Sequence, residues 1–312
     1  MTQRIFTDDR CLEHRVPFGY PESHQRLEAM LDGLTTGWAV VRGGEHDGVE
    51  RAIAAVHDGR YVESFRRAVE RRDGLLGSSD NPLSQGTWIA ARAAAETTLR
   101  AVDWVLDTPG GEAFVAVRPP GHHAERSMAM GFCYFNNVAI AAEYLVRQHG
   151  MERVAVFDFD VHHGNGTQHI FESRPDVLYV SVHQWPFYPG TGSADEIGRG
   201  AGKGATLNIP LPGGRGDDEY RDVLSQRVLP AITAFSPQAL LVSAGFDAWR
   251  ADPLGGMRVT EVGFGEWGGM LRRLADSCCD GRLVSLLEGG YDLAALPVLV
   301  GSFLRGESGS GP

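Results

Sequence analysis

The length, composition and charge of the chain exclude several classes of protein. Its 312 residues suffice for a large core, and the formal net charge of −11 argues against a non-specific nucleic-acid binder, which needs a basic surface. No apolar run approaches the ~18 residues that span a bilayer, and the four cysteines, without metal-finger spacing, indicate a reduced protein. We therefore expect a soluble, cytoplasmic protein without a membrane partner or direct nucleic-acid contact.

Short apolar runs alternate along the chain with longer segments of helical periodicity. In chain order, the predicted strands are GWAVV, AFVAV, RVAVFDFDV, DVLYVSV, ALLVSAGF and RLVSLLE. The predicted helices span 85–107, 134–149, 217–235 and 260–277. Continuously apolar strands separated by helices are typical of a parallel sheet covered on both faces, so the pattern predicts an α/β fold.

The sequence contains no linker that would divide the chain. We therefore predict one domain over 1–305. The last seven residues, GESGSGP, are small and polar, and we expect the tail over 306–312 to be disordered.

Ionisable residues directly follow four of the predicted strands. AFVAV leads into RPPGHHA, RVAVFDFDV into HHGNG, ALLVSAGF into DAWRADPLGG, and RLVSLLE into GGYD. Ligand sites of open α/β sheets lie outside the carboxyl ends of the strands. We expect these segments to meet at one edge of the sheet.

The segment DFDVHHGNG carries the side chains of a metal site. Asp158, Asp160 and His162 share one face if the strand continues through them, because alternate residues of a strand point to the same side. Such groups would repel one another, and their burial would cost solvation free energy, unless a cation lay among them. Carboxylate and imidazole ligands suit Zn²⁺. Asp160 and His162 are predicted ligands, Asp247 in SAGFDA could be the third, and Asp158 could then orient an imidazole.

Two histidines and a tyrosine could supply proton chemistry. His122 and His123, in the turn PPGHH, could deprotonate a water molecule and protonate a leaving amine near neutral pH. Tyr291 in LEGGYD could donate to a developing oxyanion. Each feature alone has a plainer explanation, since histidine pairs are commonly structural and single tyrosines commonly pack in cores. Their joint occurrence after four strands favours one hydrolytic site.

Other histidines and cysteines have simpler interpretations. We expect His57, His169 and His183 to be packing or surface residues, and Cys133 to be a small buried side chain. His163, next to a predicted ligand, is expected to pack behind the site.

Several long motifs resemble the zinc-dependent histone deacetylase family, which includes bacterial histone deacetylase-like amidohydrolases and acetylpolyamine amidohydrolases. In order, they are RPPGHHA, GFCYFNN, DFDVHHGNGTQ, SVHQWPFYPGTG, NIPLPGG, SAGFDA, DPLGG and LEGGYD. The resemblance spans roughly residues 15–305. It implies the arginase/deacetylase fold, an eight-stranded parallel sheet flanked by helices on both faces.

The resemblance also implies a metal and a base. Asp160, His162 and Asp247 would bind zinc, or ferrous iron in its place. His122 and His123 match the histidine pair of the family, with His123 as general base and acid. The reaction would then be hydrolysis of an acyl amide by a metal-activated water molecule.

Three further positions carry implied roles in catalysis. Asp158 would support His122, and Asn165 would face His123, which is the class II pattern. Tyr291 matches the tyrosine that polarises the scissile carbonyl, so ordinary deacetylation is expected.

The resemblance also defines a substrate channel. Gly131, Phe132 and Tyr188 match its walls, where two aromatic rings could enclose a lysine stem. Leu254 replaces the glutamate that attracts a distal ammonium in polyamine-selective relatives. We therefore expect acyl-lysine in peptides or proteins as substrate, with acetylpolyamine or another small acylated amine as the alternative. Closure of the entrance by a partner subunit in an oligomer would favour small amines.

Structural potassium is a further property of the family. The matching inner positions are Asp158, Asp160, His162, Ser181 and Val182. The outer positions are Phe171, Arg174 and Val177. Because carbonyl oxygens supply most ligands, side-chain identity constrains this prediction weakly.

Two other functions fit the pattern less well. An arginase-type binuclear manganese hydrolase shares the fold but needs additional Asp and His ligands, and Asn165 occupies a position where a carboxylate would be useful. A catalytically silent binding module would be expected to have lost the tyrosine or a ligand, whereas all of them are present.

Overall fold

The described part of the chain, residues 2–34 and 37–306 of a computed structural model, folds around one eight-stranded sheet. The strands are β1 Thr2–Thr7, β2 Ala39–Arg42, β3 Gly111–Ala116, β4 Val154–Asp158, β5 Val177–Gln184, β6 Thr206–Leu211, β7 Ala239–Ala244 and β8 Leu283–Leu287. Their order is β2-β1-β3-β8-β7-β4-β5-β6, and all neighbours are parallel. The predicted disordered tail lies, apart from Gly306, outside the described residues.

Helices cover this sheet on both faces. Those of the described residues are α1 His24–Leu34, α2 Val49–Val56, α3 Gly59–Arg71, α4 Thr87–Asp107, α5 Asn137–His149, α6 Asn165–Phe171, α7 Asp217–Val223, α8 Leu229–Phe235, α9 Glu261–Cys278 and α10 Leu296–Arg305. Every residue of β3, β4, β7 and β8 is buried, which requires cover on both sides because successive strand residues point to opposite faces. The predicted α/β fold is confirmed.

Capping residues set the ends of the predicted helices. The Asn136 side chain accepts a hydrogen bond from the backbone N–H of the third residue of α5, and Gly150 ends α5 in a left-handed conformation. The Thr260 side chain caps α9 by accepting from the backbone N–H of its second residue, Val262. The predicted helix over 217–235 consists of α7, a π-helical turn and α8 in direct succession.

Two strands and five helices were not predicted. Only the second half of β1 is buried, so its sequence, TQRIFT, does not form a continuous apolar run. The edge strand β6, TLNIPL, contains Pro210, a residue that argues against a strand except at a sheet edge. The helices missed are α1, α2, α3, α6 and α10.

The expected continuation of β4 through the metal-site motif was wrong. The strand ends at Asp158, and Asp160 and His162 lie in the loop that leads to α6. Strand alternation therefore does not place these side chains together. Asp158 turns away to bind a histidine, whereas Asp160 and His162 meet through the loop conformation.

The four strands that lead into the predicted site are neighbours in the sheet. Their order, β3-β8-β7-β4, occupies the middle of the sheet, and all four run in the same direction. The loops after them therefore share one edge, as ligand-binding loops of α/β sheets do. Within the described residues, no helix has the length and apolarity needed to cross a membrane.

Candidate active site

Three side chains that follow β4 and β7 form a compact cluster. Asp160, His162 and Asp247, here called the metal cluster, each offer a ligand atom within 4.8 Å of the other two. His162 Nδ1 lies 3.1 Å from Asp160 Oδ1 and 3.1 Å from Asp247 Oδ2. In the part of the chain that the structure describes, no other group of His, Cys, Asp and Glu residues has this geometry.

The donor set of the metal cluster fits a divalent ion. Both carboxylates are buried, and a single Nδ1–H of His162 cannot satisfy both of them fully. Burial and the charge of Asp160 raise the pKa of Asp247, which reflects the cost of two close carboxylates. A bound cation would offset that cost. One imidazole and two carboxylate ligands, with a position left open, match a catalytic zinc site.

Two glycines allow the backbone to approach the metal cluster. A Cβ atom at Gly245 would lie 2.1 Å from Asp160 Oδ2, and one at Gly289 would lie 2.2 Å from Asp247 Oδ2. The Gly289 N–H donates to Asp160 Oδ2 at 2.7 Å, and the Val161 N–H donates to Asp247 Oδ1 at 2.9 Å. These bonds fix the carboxylates, and larger residues at the two glycine positions would displace them.

His122 and His123 lie side by side but have different partners. Their ring centroids are 4.0 Å apart. His122 Nδ1 lies 3.1 Å from Asp158 Oδ2, and His123 Nδ1 lies 2.7 Å from Asn165 Oδ1. One ring is therefore held by a carboxylate and the other by a neutral amide.

The surrounding charges separate the pKa values of the two rings. Burial lowers the pKa of His122, but the carboxylates of Asp160 and Asp158 outweigh burial and raise that pKa to about 10. Burial, together with positive charge on His122 and His162, lowers the pKa of His123 well below its ordinary value. His123 therefore has the free lone pair that a general base needs.

Tyr291 lies on the loop after β8. Its backbone N–H donates to Asp252 Oδ2 at 2.7 Å, and the guanidinium of Arg26 lies 4.7 Å from its ring centroid. Burial raises the pKa of Tyr291 well above its ordinary value, so its hydroxyl keeps the hydrogen that it could donate.

A cleft of about 220 Å³ is bordered by His123, by His162 of the metal cluster and by Tyr291. Its lining residues are Asp80, His123, Gly131, Phe132, His162, Tyr188, Leu254 and Tyr291. The ring of Phe132 is 6.0 Å from that of Tyr291, and the ring of Tyr188 is 5.2 Å from that of His123. All four predicted channel residues therefore border the cleft. Asp80 was not predicted, since an aspartate in the loop SSDNP resembles any turn residue.

A buried ionic network, also not predicted, holds the loop of Tyr291. Arg26 donates to the carbonyls of Glu288 at 2.6 Å and Gly290 at 2.7 Å. Glu22 pairs with Arg26 at 3.1 Å and with Arg118 at 2.7 Å, and the side chains of these three residues are at most 1% exposed. The spacing of Glu22 and Arg26, four residues apart, is the one sequence signal that could have indicated a pair.

Other predicted residues lie as follows. His57, His163 and His183 are buried, Cys133 is buried, and His169 is exposed. The described environment of each is therefore that of a packing or surface residue.

The predicted potassium positions adjoin one another in the sheet. Asp158 of β4 is paired in register with Ser181 of β5, and Val182 follows. The outer positions lie between the end of α6, at Phe171, and the start of β5, at Val177. Potassium binding at either set remains a prediction.

Comparison with known proteins places the chain in a family. The family model described as the histone deacetylase domain matches residues 20–306. The chain belongs to the histone deacetylase family. Membership makes it a hydrolase of the deacetylase and amidohydrolase type, and confirms the resemblance of its motifs.

Two relatives in this family match over most of their own length. A probable deacetylase from Archaeoglobus fulgidus is 38% identical over 95% of this chain and 84% of its own. A histone deacetylase-like amidohydrolase from Pseudomonas aeruginosa is 41% identical, again over 95% and 84%. The crystal structure of the HDA15 HD domain matches with a TM-score of 0.89 at 35% identity, over 97% of this chain and 88% of that chain. This structural match confirms the arginase/deacetylase fold.

Proposed function

We propose that this chain is a zinc-dependent amidohydrolase that removes acetyl or related acyl groups from acyl-lysine side chains. One observation carries the proposal: His162 of the metal cluster, His123 and Tyr291 border a single cleft. These groups would supply the metal ligands, the base and the oxyanion donor of amide hydrolysis without a covalent intermediate.

The proposed mechanism assigns one task to each group. Zinc, held by the metal cluster, would supply Lewis acidity toward the acyl carbonyl. His123 takes a proton from the attacking water at Nε2, because its Nδ1 is engaged by Asn165, and returns that proton to the departing amine. Tyr291 donates a hydrogen bond from its hydroxyl to the oxyanion.

His122 and Asp158 have a supporting task in this mechanism. Asp158 orients His122 and favours its protonated form, and the resulting imidazolium, next to His123, would stabilise the negative charge that develops on the substrate. Potassium at the inner positions around Asp158 and Ser181 would fix the ends of β4 and β5; this part of the proposal rests on the motif resemblance.

The lining of the cleft supports a lysine-like substrate. Phe132 and Tyr188 offer aromatic surface to an aliphatic stem, and Leu254 adds an apolar side chain. A cleft of about 220 Å³ admits an extended chain end rather than a bulky group.

One observation favours a second candidate, an acetylpolyamine or another small acylated amine. Asp80 places a carboxylate in the lining of the cleft, 3.4 Å from the Tyr188 hydroxyl. A carboxylate at this position would attract the free ammonium of a polyamine, which Leu254 does not. An arginase-type centre has less support, because Asn165 binds His123 and the described residues form one metal cluster.

A paired assay separates the two substrates. We would compare kcat/KM for an acetyl-lysine peptide with kcat/KM for an acetylated polyamine, using zinc-reconstituted protein. A preference of about tenfold or more for the peptide, ~1.4 kcal/mol in transition-state energy, would support the acyl-lysine proposal. A preference for the polyamine that Asp80→Asn abolishes would replace it with the second candidate. If neither is hydrolysed, peptides with longer acyl chains are tested next. Their hydrolysis would correct only the acyl group, and no hydrolysis would contradict the proposed function.

We expect Asp247→Asn to weaken zinc binding. The substitution removes one anionic ligand and leaves the others in place. Isothermal titration should show one zinc ion bound by the unsubstituted protein, and a zinc affinity about 10²-fold or more lower in the variant. Asp80→Asn, which removes a carboxylate from the same cleft outside the metal cluster, should bind zinc as the unsubstituted protein does. Equal zinc affinity in both variants would contradict the assigned ligand set.

A further inference from the structure

A chain of hydrogen bonds leads from the base to the protein surface. His123 Nδ1 lies 2.7 Å from Asn165 Oδ1, and Asn165 Nδ2 donates to Glu125 Oε1 at 2.6 Å. His169 Nδ1 lies 2.8 Å from the same Glu125 oxygen. His123 and Asn165 are buried, at 4% and 3% exposed, whereas the side chains of Glu125 and His169 are 18% and 39% exposed.

The chemistry of Glu125 determines how the amide of Asn165 is oriented. A carboxylate only accepts hydrogen bonds, so the amide must direct its NH₂ group toward Glu125 and its oxygen toward His123. The other acceptors near Nδ2 are weaker: the His123 carbonyl is 3.4 Å away, and Met130 offers a sulfur at 3.5 Å. Glu125 is thus the main contact that distinguishes this orientation from the flipped one.

The orientation of the amide in turn determines where His123 carries its hydrogen. An amide oxygen accepts a bond, so Nδ1 must be the protonated nitrogen and Nε2 must hold the lone pair. A flipped amide would present NH₂ to Nδ1 and favour the opposite tautomer, in which Nε2 is protonated and cannot act as a base. A wrong histidine tautomer lowers catalytic rates strongly in other hydrolases.

We infer that Glu125 is a positioning residue that selects the working tautomer of His123 through the Asn165 amide. His169 anchors the Glu125 carboxylate from the surface side. The inference rests on the proposed function, because it assigns the selected tautomer to the proposed general base. It assigns a task to two side chains, Glu125 and His169, that touch neither the metal cluster nor the cleft lining.

Two variants of similar size test the role of Glu125. Glu125→Gln keeps an acceptor for Asn165 Nδ2 and should retain most of kcat. Glu125→Met removes the acceptor and should lower kcat by roughly tenfold or more, with KM little changed. Glu172→Met is a matched control, because the Glu172 side chain is also 18% exposed, borders the same surface cavity as Glu125 and His169, and does not bond to Asn165. It should leave kcat unchanged.

A double substitution provides a sharper test. Asn165→Asp alone places a second carboxylate against Glu125 and should lower kcat. In the Glu125→Met background the same aspartate has no repelling neighbour, and it accepts from His123 Nδ1 in either orientation. The double variant should therefore recover to within about threefold of the unsubstituted protein. If the two losses simply multiply in the double variant, Glu125 does not act through the amide of Asn165.

A readout independent of turnover separates this inference from the proposed function. ¹⁵N spectra of histidine-labelled protein report the tautomer of His123, whose signals are assigned by their loss in His123→Ala. We expect the Nδ1–H form in the unsubstituted protein and in Glu125→Gln, and a mixture of tautomers in Glu125→Met. An unchanged tautomer in Glu125→Met would overturn the inference. If the tautomer shifts but the unsubstituted protein hydrolyses no acyl amine, the proposed function fails and the positioning role stands.

Discussion

At the residue scale, two adjacent histidines acquire different properties from distant partners. The sequence PPGHH identified His122 and His123 as a pair, but the partners Asp158 and Asn165 lie 36 and 42 residues further along the chain. Their identity followed from the family resemblance, because local sequence does not encode which side chains meet across a sheet edge. Glu125, only two residues after His123, was missed because its contact with Asn165 depends on how the loop folds back.

Tyr291→Phe tests the hydroxyl of the tyrosine at the same scale. The ring would remain against Arg26, so loss of the hydroxyl alone should lower kcat by roughly two orders of magnitude or more, as expected for an oxyanion donor. The measurement is kcat on the better substrate of the paired assay. Tyr144→Phe removes a hydroxyl that binds Asp103 in a different cavity and should have no effect. Near-normal turnover of Tyr291→Phe would remove the tyrosine from the mechanism.

At the scale of elements, the site depends on α1, a helix that was not predicted from the sequence. The buried apolar residues of α1, Leu27, Met30, Leu31 and Leu34, do have helical spacing, but the predicted helices did not include this segment, and its Arg26 is buried rather than solvated. The central strands were predicted because short, continuous apolar runs are typical of buried strands. The buried network of Arg26, Glu22 and Arg118 reverses the usual rule that charges lie outside, so it could not be predicted from composition.

Glu22→Met should destabilise the protein strongly. The substitution preserves size but leaves the guanidinium groups of Arg26 and Arg118 buried without their carboxylate, which typically costs about 3–5 kcal/mol. The free energy of unfolding in urea is the quantity to measure. Glu28→Met, on the exposed side of α1, is the control, since its side chain is 45% exposed and should change stability by less than about 0.5 kcal/mol. Equal effects of the two substitutions would mean that the buried network contributes nothing.

At the scale of the whole molecule, acid should weaken the fold through buried histidines that are neutral. His57 Nδ1 donates to the Glu125 carbonyl, and its Nε2 accepts from the Asn136 N–H. Burial lowers the pKa of His57 to about 4 in the folded chain, below the ~6.5 of an unfolded histidine. Between these values the unfolded chain binds more protons, so stability is complete above pH 6.5 and falls as pH decreases toward 4.

Urea unfolding at pH 7 and pH 5 measures this dependence. His57→Gln can keep one donor and one acceptor at this position but cannot ionise. We expect it to reduce the loss of stability between the two pH values by up to about 1.4 kcal/mol per pH unit. His149→Gln, at the surface end of α5, should keep the pH dependence of the unsubstituted protein. A pH dependence that is unchanged in His57→Gln would assign the effect to other groups.

The order of the central strands also has a consequence for folding kinetics. The last strand, β8, inserts between β3 and β7, so its register with β3 joins Glu112 to Leu283 and closes a loop of more than half the chain. Contacts of such high sequence separation form slowly, because the entropy of loop closure is lost before the contacts stabilise the chain. An emerging polypeptide that ends before β8 already contains all three residues of the metal cluster. It still lacks two features: the Gly289 N–H, which donates to Asp160, and β8, the strand that joins the two halves of the sheet. The hydrogen bonds that fix the metal cluster are therefore complete only after the final strand is in place.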